Sequence, residues 1–372
     1  MNSLNDYCEL IVDCEHKTAP IQETGYPSIR TPNIGHGFFI LDGVNRVSEA
    51  TYTDWTKRAV PLPGDLILAR EAPVGNVAVI PEEQQFCLGQ RTVLLRPDKS
   101  KAVPDYLCYL LLTPLIRGQL LSKSGGATVH HLNMKDIRAL HIGTLPNLSE
   151  QAQTASVIKT YDDLIETNRR RIALLEESAR LLYREWFVNL RFPGHELVKW
   201  QDGLPEGWRK CYLKDITTLN YGKALKESNR TAGEVPVYGS SGIVGTHNKS
   251  LVDGPAIIVG RKGNVGSVFF SDVPCFAIDT VYFVSGSDVS YYLFHLLKTM
   301  NFISSDAAVP GLNRNYAYGL EVLHPDASTL TSFEQKIAPV FQQISLLKRQ
   351  NTALQNARDE LLPNLMSGAI RV

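Results

Sequence analysis

Two stretches of the chain place apolar residues at spacings that alternate between three and four. This alternation is typical of a helix that buries one narrow apolar face, or seam, against a partner helix. It predicts one long helix over 150–187 and a second over 337–365, each with a single asparagine in its seam. The seam positions are Ile158, Tyr161, Ile165, Asn168, Ile172, Leu175, Ala179, Leu182 and Trp186 in the first helix, and Ile337, Val340, Ile344, Leu347, Asn351, Leu354, Arg358, Leu361 and Leu365 in the second.

The two asparagines predict how the helices pair. In an antiparallel pair with Asn168 opposite Asn351, the two amides satisfy each other and fix the register. The same register puts Tyr161 opposite Arg358, which predicts a cation–π contact. It also places apolar residues opposite each other in the pairs Ile158–Leu361, Ile165–Leu354, Ile172–Leu347, Leu175–Ile344, Ala179–Val340 and Leu182–Ile337. Either seam alone could be one face of an ordinary globular helix, but two matched seams favour a pair.

The sequence also indicates where the long helices begin and break. Asn147 and Glu150 have the spacing of a capping box, and so do Thr331 and Glu334. Pro339 and Pro363 fall inside the second seam, where each would kink or end a helix. We therefore expect the second helix to be continuous only over 340–362.

The segments outside the helices contain short β-rich runs and repeat one another. Runs at 38–41, 65–69, 77–80 and 92–95 predict strands, and 106–121 predicts a short apolar helix. DLILAR at 65–70 matches AIIVGR at 256–261, VGNV at 74–77 matches VGSV at 265–268, and LN at 132–133 matches LN at 312–313. Such matches in the same order, each followed by a long helix, indicate an internal duplication.

The predicted fold is therefore α+β. Two similar mixed α/β domains, at 1–147 and 190–328, are separated by long helices at 148–189 and 329–372. We expect the helices to form an antiparallel coiled coil and the two copies to be related by a pseudo-two-fold axis.

Composition and missing motifs narrow the function. The 38 Lys/Arg balance the 38 Asp/Glu, so DNA binding would need local basic patches, or a partner that supplies the positive field. The six cysteines form no CxxC pair, and no secretory signal or membrane-length apolar run is present, so we expect reduced thiols in a cytoplasmic protein. GRKGNVG at 260–266 lacks the ending of a phosphate-binding loop, and we find no GxGxxG and no amino-methyltransferase tetrapeptide. We expect no metal site.

The layout resembles the specificity subunit of Type I DNA restriction–modification enzymes over nearly the whole chain. The similarity is carried by GYPSIRTPNI at 25–34, PGDLILAR at 63–70, LPEGW at 204–208, VPVYGSSG at 235–242, GLNR at 311–314 and the EQ pairs at 150–151 and 334–335.

This resemblance implies a non-catalytic subunit whose two domains are target recognition domains. Each would recognise one half of a split, double-stranded DNA sequence. The helices, the conserved regions of the family, would hold methyltransferase subunits, two in number, and the complex would include motor-nuclease subunits. The subunit would need no cofactor of its own, whereas its partners would use S-adenosylmethionine, ATP and Mg²⁺.

Polar and cationic loop residues are the candidates for DNA contact, because Arg pairs with guanine, Asn with adenine, and Lys and Ser with phosphates. Arg70 and Arg261 are the strongest candidates, since each ends a strand at the equivalent repeat position. The candidates are Arg30, Arg70, Arg91, Lys123, Thr128, His130, His131 and Asn133 in the first domain, and Lys223, Ser240, Ser241, Arg261, Lys262, Asn264, Asn313, Arg314 and Asn315 in the second.

Two other functions fit parts of the pattern. A self-contained nuclease or methyltransferase would bind its own cofactor, and the missing motifs argue against it. A coiled-coil scaffold that binds only protein would give no sequence-dependent protection of DNA.

Overall fold

The computed structural model describes residues 2–124, 131–302 and 311–372. The chain divides into two compact units. One comprises Met1–Asn168 with Gln350–Val372, and the other comprises Arg169–Arg349. Because each boundary falls inside a long helix, both helices contribute residues to both units.

The first unit is built on a four-stranded antiparallel sheet with a smaller sheet beside it. Its central strand, Leu66–Ala69, is fully buried and consists only of apolar residues, as expected for a strand covered on both faces. The spatial order of the large sheet is Cys8–Asp13, Thr92–Pro97, Leu66–Ala69, Val77–Val79, and that of the small sheet is Arg46–Val47, Tyr26–Ile29, Cys87–Leu88. The shorter helices are Glu49–Trp55, Pro104–Leu112, Pro114–Lys123 and Met134–Arg138, with single 3₁₀ turns at Leu4–Tyr7 and Thr31–Asn33.

The second unit repeats this topology. Its large sheet has the order Asn220–Tyr221, Val281–Ser285, Ala256–Gly260, Val268–Ser271, and its small sheet has the order Gly242–His247, Val235–Gly239, Phe276–Ala277. Helices Tyr291–Thr299 and Arg314–Tyr318 follow, and further strands pair Arg209–Tyr212 with Glu321–His324 and Trp200–Gln201 with Leu204–Pro205. Short 3₁₀ turns lie at His195–Leu197, Leu213–Asp215, Glu227–Asn229 and Gly286–Asp288.

The main-chain hydrogen bonds of the two units also match. The Leu132 N–H donates to the Arg70 carbonyl at 3.1 Å, and the Leu312 N–H donates to the Arg261 carbonyl at 2.8 Å. The predicted duplication and the predicted α+β class are therefore confirmed.

The first long helix is Leu148–Tyr183, and a π-helical turn at Arg184–Val188 extends it. Its predicted capping box is present. The Glu150 N–H donates to the Asn147 side chain at 3.0 Å, and the Asn147 N–H donates to the Glu150 carboxylate at 3.2 Å. This reciprocal pair satisfies two N–H groups that the first turn would otherwise leave without partners.

Within the first unit the two long helices run antiparallel, as predicted. Asn168 and Asn351 are buried and face each other, with the Asn168 amide donating to the Asn351 carbonyl oxygen at 3.0 Å. Farther along, Arg358 forms an ion pair with Asp162 at 2.6 Å. The predicted Tyr161–Arg358 stacking is therefore replaced by a contact to the carboxylate one residue later, which binds the guanidinium more strongly than a ring does.

The second unit contains the other half of the helix pair. Ala179 and Ile337 belong to its buried core, and Lys348 Nζ lies 3.2 Å from Glu176 Oε1. The later residue of one helix thus lies near the earlier residue of the other, so the helices run antiparallel here too. Aromatic packing dominates this end, where the Phe333 ring centroid lies 4.8 Å from that of Phe187.

The second long helix differs from its predicted start and breaks. It runs without interruption over Ala327–Met366. Asp326 caps it by accepting from the N–H groups of Ser328 and Thr329, so the predicted box at Thr331 and Glu334 is wrong.

The side chain of Glu334 instead forms hydrogen bonds at the start of another helix. Its carboxylate accepts from the N–H groups of Tyr291 and Tyr292, at the start of Tyr291–Thr299.

The prolines do not break the second helix. Pro339 is exposed, so the carbonyl that loses its hydrogen-bond donor, that of Gln335, lies on the solvent side. Pro363 likewise leaves the carbonyl of the exposed Asp359 without a helical donor.

Other local predictions were partly right. The predicted strands at 65–69, 77–80 and 92–95 are present within a few residues, but the run at 38–41 forms only an isolated bridge between Ile34 and Phe39. The predicted helix at 106–121 is split at Pro114, which begins a second helix. All six cysteines are unpaired, and burial raises the pKa of Cys8 and of Cys87 to about 12. In the described ranges no helix has the length and apolar character needed to cross a membrane.

Candidate nucleic-acid interface

Arg70 directly follows the central strand Leu66–Ala69 of the first domain, and its side chain points inward. It is 5% exposed, and its Nε donates to the Leu132 carbonyl at 3.0 Å. One terminal nitrogen forms a salt bridge with Asp13, and the other donates to His131 Nε2 at 2.8 Å. These contacts use the guanidinium fork inside the domain. Arg70 thereby fixes the following loop, and its base-reading role stays a prediction that these inward contacts do not support.

A second group of contacts surrounds Glu71. His131 Nδ1 lies 3.1 Å from the Glu71 carboxylate, and Arg91 Nε lies 2.9 Å from its other oxygen. Because arginine can only donate, His131 must accept at Nε2 and donate to Glu71 from Nδ1. Arg91, which has a left-handed backbone with φ of 67°, and His131 remain partly exposed, so both stay candidates for DNA contact.

Three other first-domain candidates are exposed. Arg30 precedes the 3₁₀ turn Thr31–Asn33, Lys123 ends its helix, and Asn133 precedes the helix Met134–Arg138. Thr128 and His130 lie outside the described residues.

The second domain brings two of its candidates onto one ring. The Arg261 guanidinium lies 5.1 Å from the ring centroid of Tyr221, and that of Arg314 lies 4.7 Å from the same centroid. Arg261 also contacts the Tyr282 ring and donates to the Asp279 carbonyl at 3.2 Å. Burial raises the pKa of Tyr282, so its hydroxyl stays protonated and donates to the Leu312 carbonyl.

Further polar candidates border this pair. Lys262 lies 4.0 Å from the Asp279 carboxylate, and the Asn313 side chain accepts from the backbone N–H of Asn315 at 2.8 Å. Asn313 thereby caps the short helix that carries Arg314.

Three candidates lie on neighbouring loops, and the fourth, Lys223, follows two residues after Tyr221. Ser267 Oγ bonds the carbonyls of Ser240 and Asn264, which joins the loops that carry Ser240, Ser241 and Asn264. Lys223 is exposed beside strand Phe276–Ala277, and its N–H donates to the Ala277 carbonyl.

Sequence reasoning missed three residues that determine this geometry: Asp13, Glu71 and Tyr221. Asp13 and Tyr221 each end an edge strand, and the matched repeats begin only after those strands. The two edge strands share no sequence match, so only the strand pairing shows that these positions are equivalent. Glu71 directly follows Arg70, and an acidic residue at that position was a readable signal.

Comparison with known proteins gives a consistent result. The family model of the Type I restriction modification DNA specificity domain matches residues 4–177 and 205–315. The Type I restriction enzyme MjaIX specificity subunit of Methanocaldococcus jannaschii is 25% identical, over 90% of this chain and 84% of its own length. The Type I restriction enzyme HindI specificity subunit of Haemophilus influenzae is 19% identical, over 82% and 86%. A crystal structure of a Type I restriction-modification system S subunit from M. genitalium has the same fold, with a TM-score of 0.58, 18% identity and coverage of 98% of this chain and 95% of that chain.

Proposed function

The chain belongs to the Type I restriction modification DNA specificity family, and from this membership we propose that it recognises a bipartite DNA target with one domain for each half. The observation that carries the proposal is the duplicated domain, in which the same strand end and the same following loop recur at Arg70 and Arg261. Two copies of one reading unit on one chain suit a target of two separated halves.

The proposal assigns no catalytic step to this chain. Methyltransferase subunits, two in number, would be held through the long helices and would use S-adenosylmethionine. Motor-nuclease subunits would use ATP and Mg²⁺. The assembled complex would work in the cytoplasm, where its DNA substrate lies.

The polar loop residues suit this role in different ways. Arg261 and Arg314 present guanidinium groups at one place, and guanidinium groups pair with guanine edges or with phosphates. Asn133 and Asn313 are exposed at equivalent positions before short helices, and their amides could pair with adenine. Arg91 and His131 stand beside Glu71, which orients both.

Footprinting of the assembled complex on genomic DNA fragments tests the proposal. We expect protection of two short segments separated by an unprotected spacer, in one sequence context only. Protection without sequence preference, or none, would favour the protein-only scaffold. Calorimetric titration of the purified chain with S-adenosylmethionine should give no binding heat, whereas binding would favour a self-contained methyltransferase.

A further inference from the structure

Asp13 and Tyr221 occupy the same position in the two repeats. Asp13 lies opposite Val93 in the large sheet of the first domain, and Tyr221 lies opposite Tyr282 in that of the second. Val93 and Tyr282 are equivalent as well. The Arg70 N–H donates to the Arg91 carbonyl and the Arg261 N–H donates to the Thr280 carbonyl, and Val93 and Tyr282 each lie two residues after the accepting carbonyl. The last edge-strand residue therefore faces that arginine in both domains.

The chemistry at this position differs completely between the repeats. In the first domain the Asp13 carboxylate binds the Arg70 guanidinium and neutralises it, and the Arg70 side chain is 6% exposed. In the second domain no carboxylate contacts Arg261 within the part of the chain that the structure describes, and the Tyr221 ring takes the place of the anion. One domain thus compensates the charge of its strand-end arginine, and the other leaves it uncompensated.

A second cation contacts the Tyr221 ring. The Arg314 guanidinium lies over this ring as well, and the buried Nε of Arg314 has no hydrogen-bond partner among the described residues. The equivalent residue of the first domain is Met134, the first residue after Asn133 just as Arg314 follows Asn313. Tyr221 itself is 48% exposed, so the two guanidinium groups meet around a ring that solvent, or a ligand, can reach.

An aromatic ring holds a guanidinium without consuming its charge or all of its donors. A cation over a ring face keeps its in-plane N–H groups available, whereas a carboxylate takes two of them and cancels the field. Two guanidinium groups held together and uncompensated attract an anion, which in DNA is a phosphate, and their N–H donors also match the neutral acceptor edge of a guanine.

We propose that Tyr221 is the positioning residue of the second domain, which orders Arg261 and Arg314 as a paired contact for DNA, and that Asp13 removes this contact from the first domain. The proposal rests on the proposed function. It assigns the arginine-dependent, salt-sensitive part of recognition to the half of the target that residues 190–328 contact.

Substitution of Tyr221 in the full chain, assembled with its methyltransferase subunits, tests this. The probe is a duplex that carries the target mapped from methylated genomic positions, together with two versions in which one half is scrambled. Tyr221→Asp recreates the arrangement of the first domain and should weaken binding by between about 10-fold and about 100-fold. It should also lower the magnitude of the salt dependence, the slope of log K against log salt concentration, by about one. Discrimination should fall only in the half read by the second domain.

Three further variants keep the result interpretable. Tyr221→Phe retains the ring and should bind like the wild type. Tyr221→Ala removes the ring without adding a charge, and should weaken binding less than Tyr221→Asp does. Trp200→Asp is the matched control, since Trp200 is also a half-exposed aromatic residue on a two-residue strand, and it should leave binding unchanged. Thermal unfolding of each variant checks that the domain remains folded.

The outcomes separate the two proposals. If the wild-type complex shows no sequence-dependent binding, the proposed function fails whatever Tyr221 does. If the wild type discriminates and Tyr221→Asp matches it in affinity and salt slope, only this inference fails. Equal losses in Tyr221→Phe and Tyr221→Asp would overturn it too, because the hydroxyl rather than the ring would then matter. If Tyr221→Asp unfolds, wild-type binding by Tyr221→Ala overturns the inference.

Discussion

The asparagine pair between the long helices gives the sharpest test of the structure. In Asn168→Ala the Asn351 carbonyl oxygen loses its donor, which lies at 3.0 Å, in a site where Asn351 is only 9% exposed. Asn351 retains one long contact, from its amide to the Ile165 carbonyl at 3.4 Å. A buried polar group left without its partner costs about 1–3 kcal/mol, so we expect a loss of that size in the free energy of unfolding. Asn351→Ala should cost a similar amount.

The double variant distinguishes a specific pair from two independent polar residues. When both asparagines become Ala, neither amide is left alone, and the combined loss should be smaller than the sum of the single losses by about 1 kcal/mol. Urea unfolding followed by far-ultraviolet circular dichroism measures all three variants. Asn356→Ala is the matched control, because Asn356 lies on the exposed face of the same helix and should change stability by less than about 0.5 kcal/mol. Strictly additive losses would refute the pairing.

Three more predictions follow from contacts in the two domains. Arg70→Ala leaves the Asp13 carboxylate without its buried partner and should cost about 3–5 kcal/mol of stability, measured by urea unfolding. Arg261→Ala removes two cation–π contacts and one hydrogen bond, so it should cost about 1–2 kcal/mol of stability, less than Arg70→Ala, but about 1–3 kcal/mol of DNA-binding free energy. The reverse pattern for these two arginines would contradict their assigned roles. Burial lowers the pKa of His295 to about 4, with Lys298 adding to the shift, so the unfolded chain binds the proton more readily between about pH 6.5 and 4. The contribution of His295 to stability should therefore be fully present above pH 6.5, and the free energy of unfolding should fall by up to about 3 kcal/mol toward pH 4. His295→Phe should reduce this loss, and an unchanged pH profile in that variant would contradict the assignment to His295.

The long helices were predictable because their signal is periodic and extends over many residues. A seam of nine positions in each helix fixes which faces meet, and the single asparagine in each then fixes the register. The start of the second long helix was harder to predict, because Asp326 and Thr331 are both residues that favour the N-cap position. Glu334 matched the capping pattern, but its carboxylate serves a helix that starts at Tyr291, more than forty residues earlier in the chain.

The geometry of the candidate interface could be predicted only in part. Arg70 and Arg261 have the same local sequence context, and the strand-end position of both was readable. Their different roles depend on Asp13 and Tyr221, which reach them only through strand pairing; Asp13 lies 57 positions before Arg70. A short sequence window contains no information about such a partner.

We propose that each domain reads one half of the target. Exchange of residues 1–147 for the equivalent domain of a relative, followed by mapping of methylated positions in a host that expresses the hybrid complex, tests it most directly. We expect a new sequence in one half of the target, with the other half and the spacer unchanged. A hybrid whose target changed in both halves, or only in the spacer length, would contradict it.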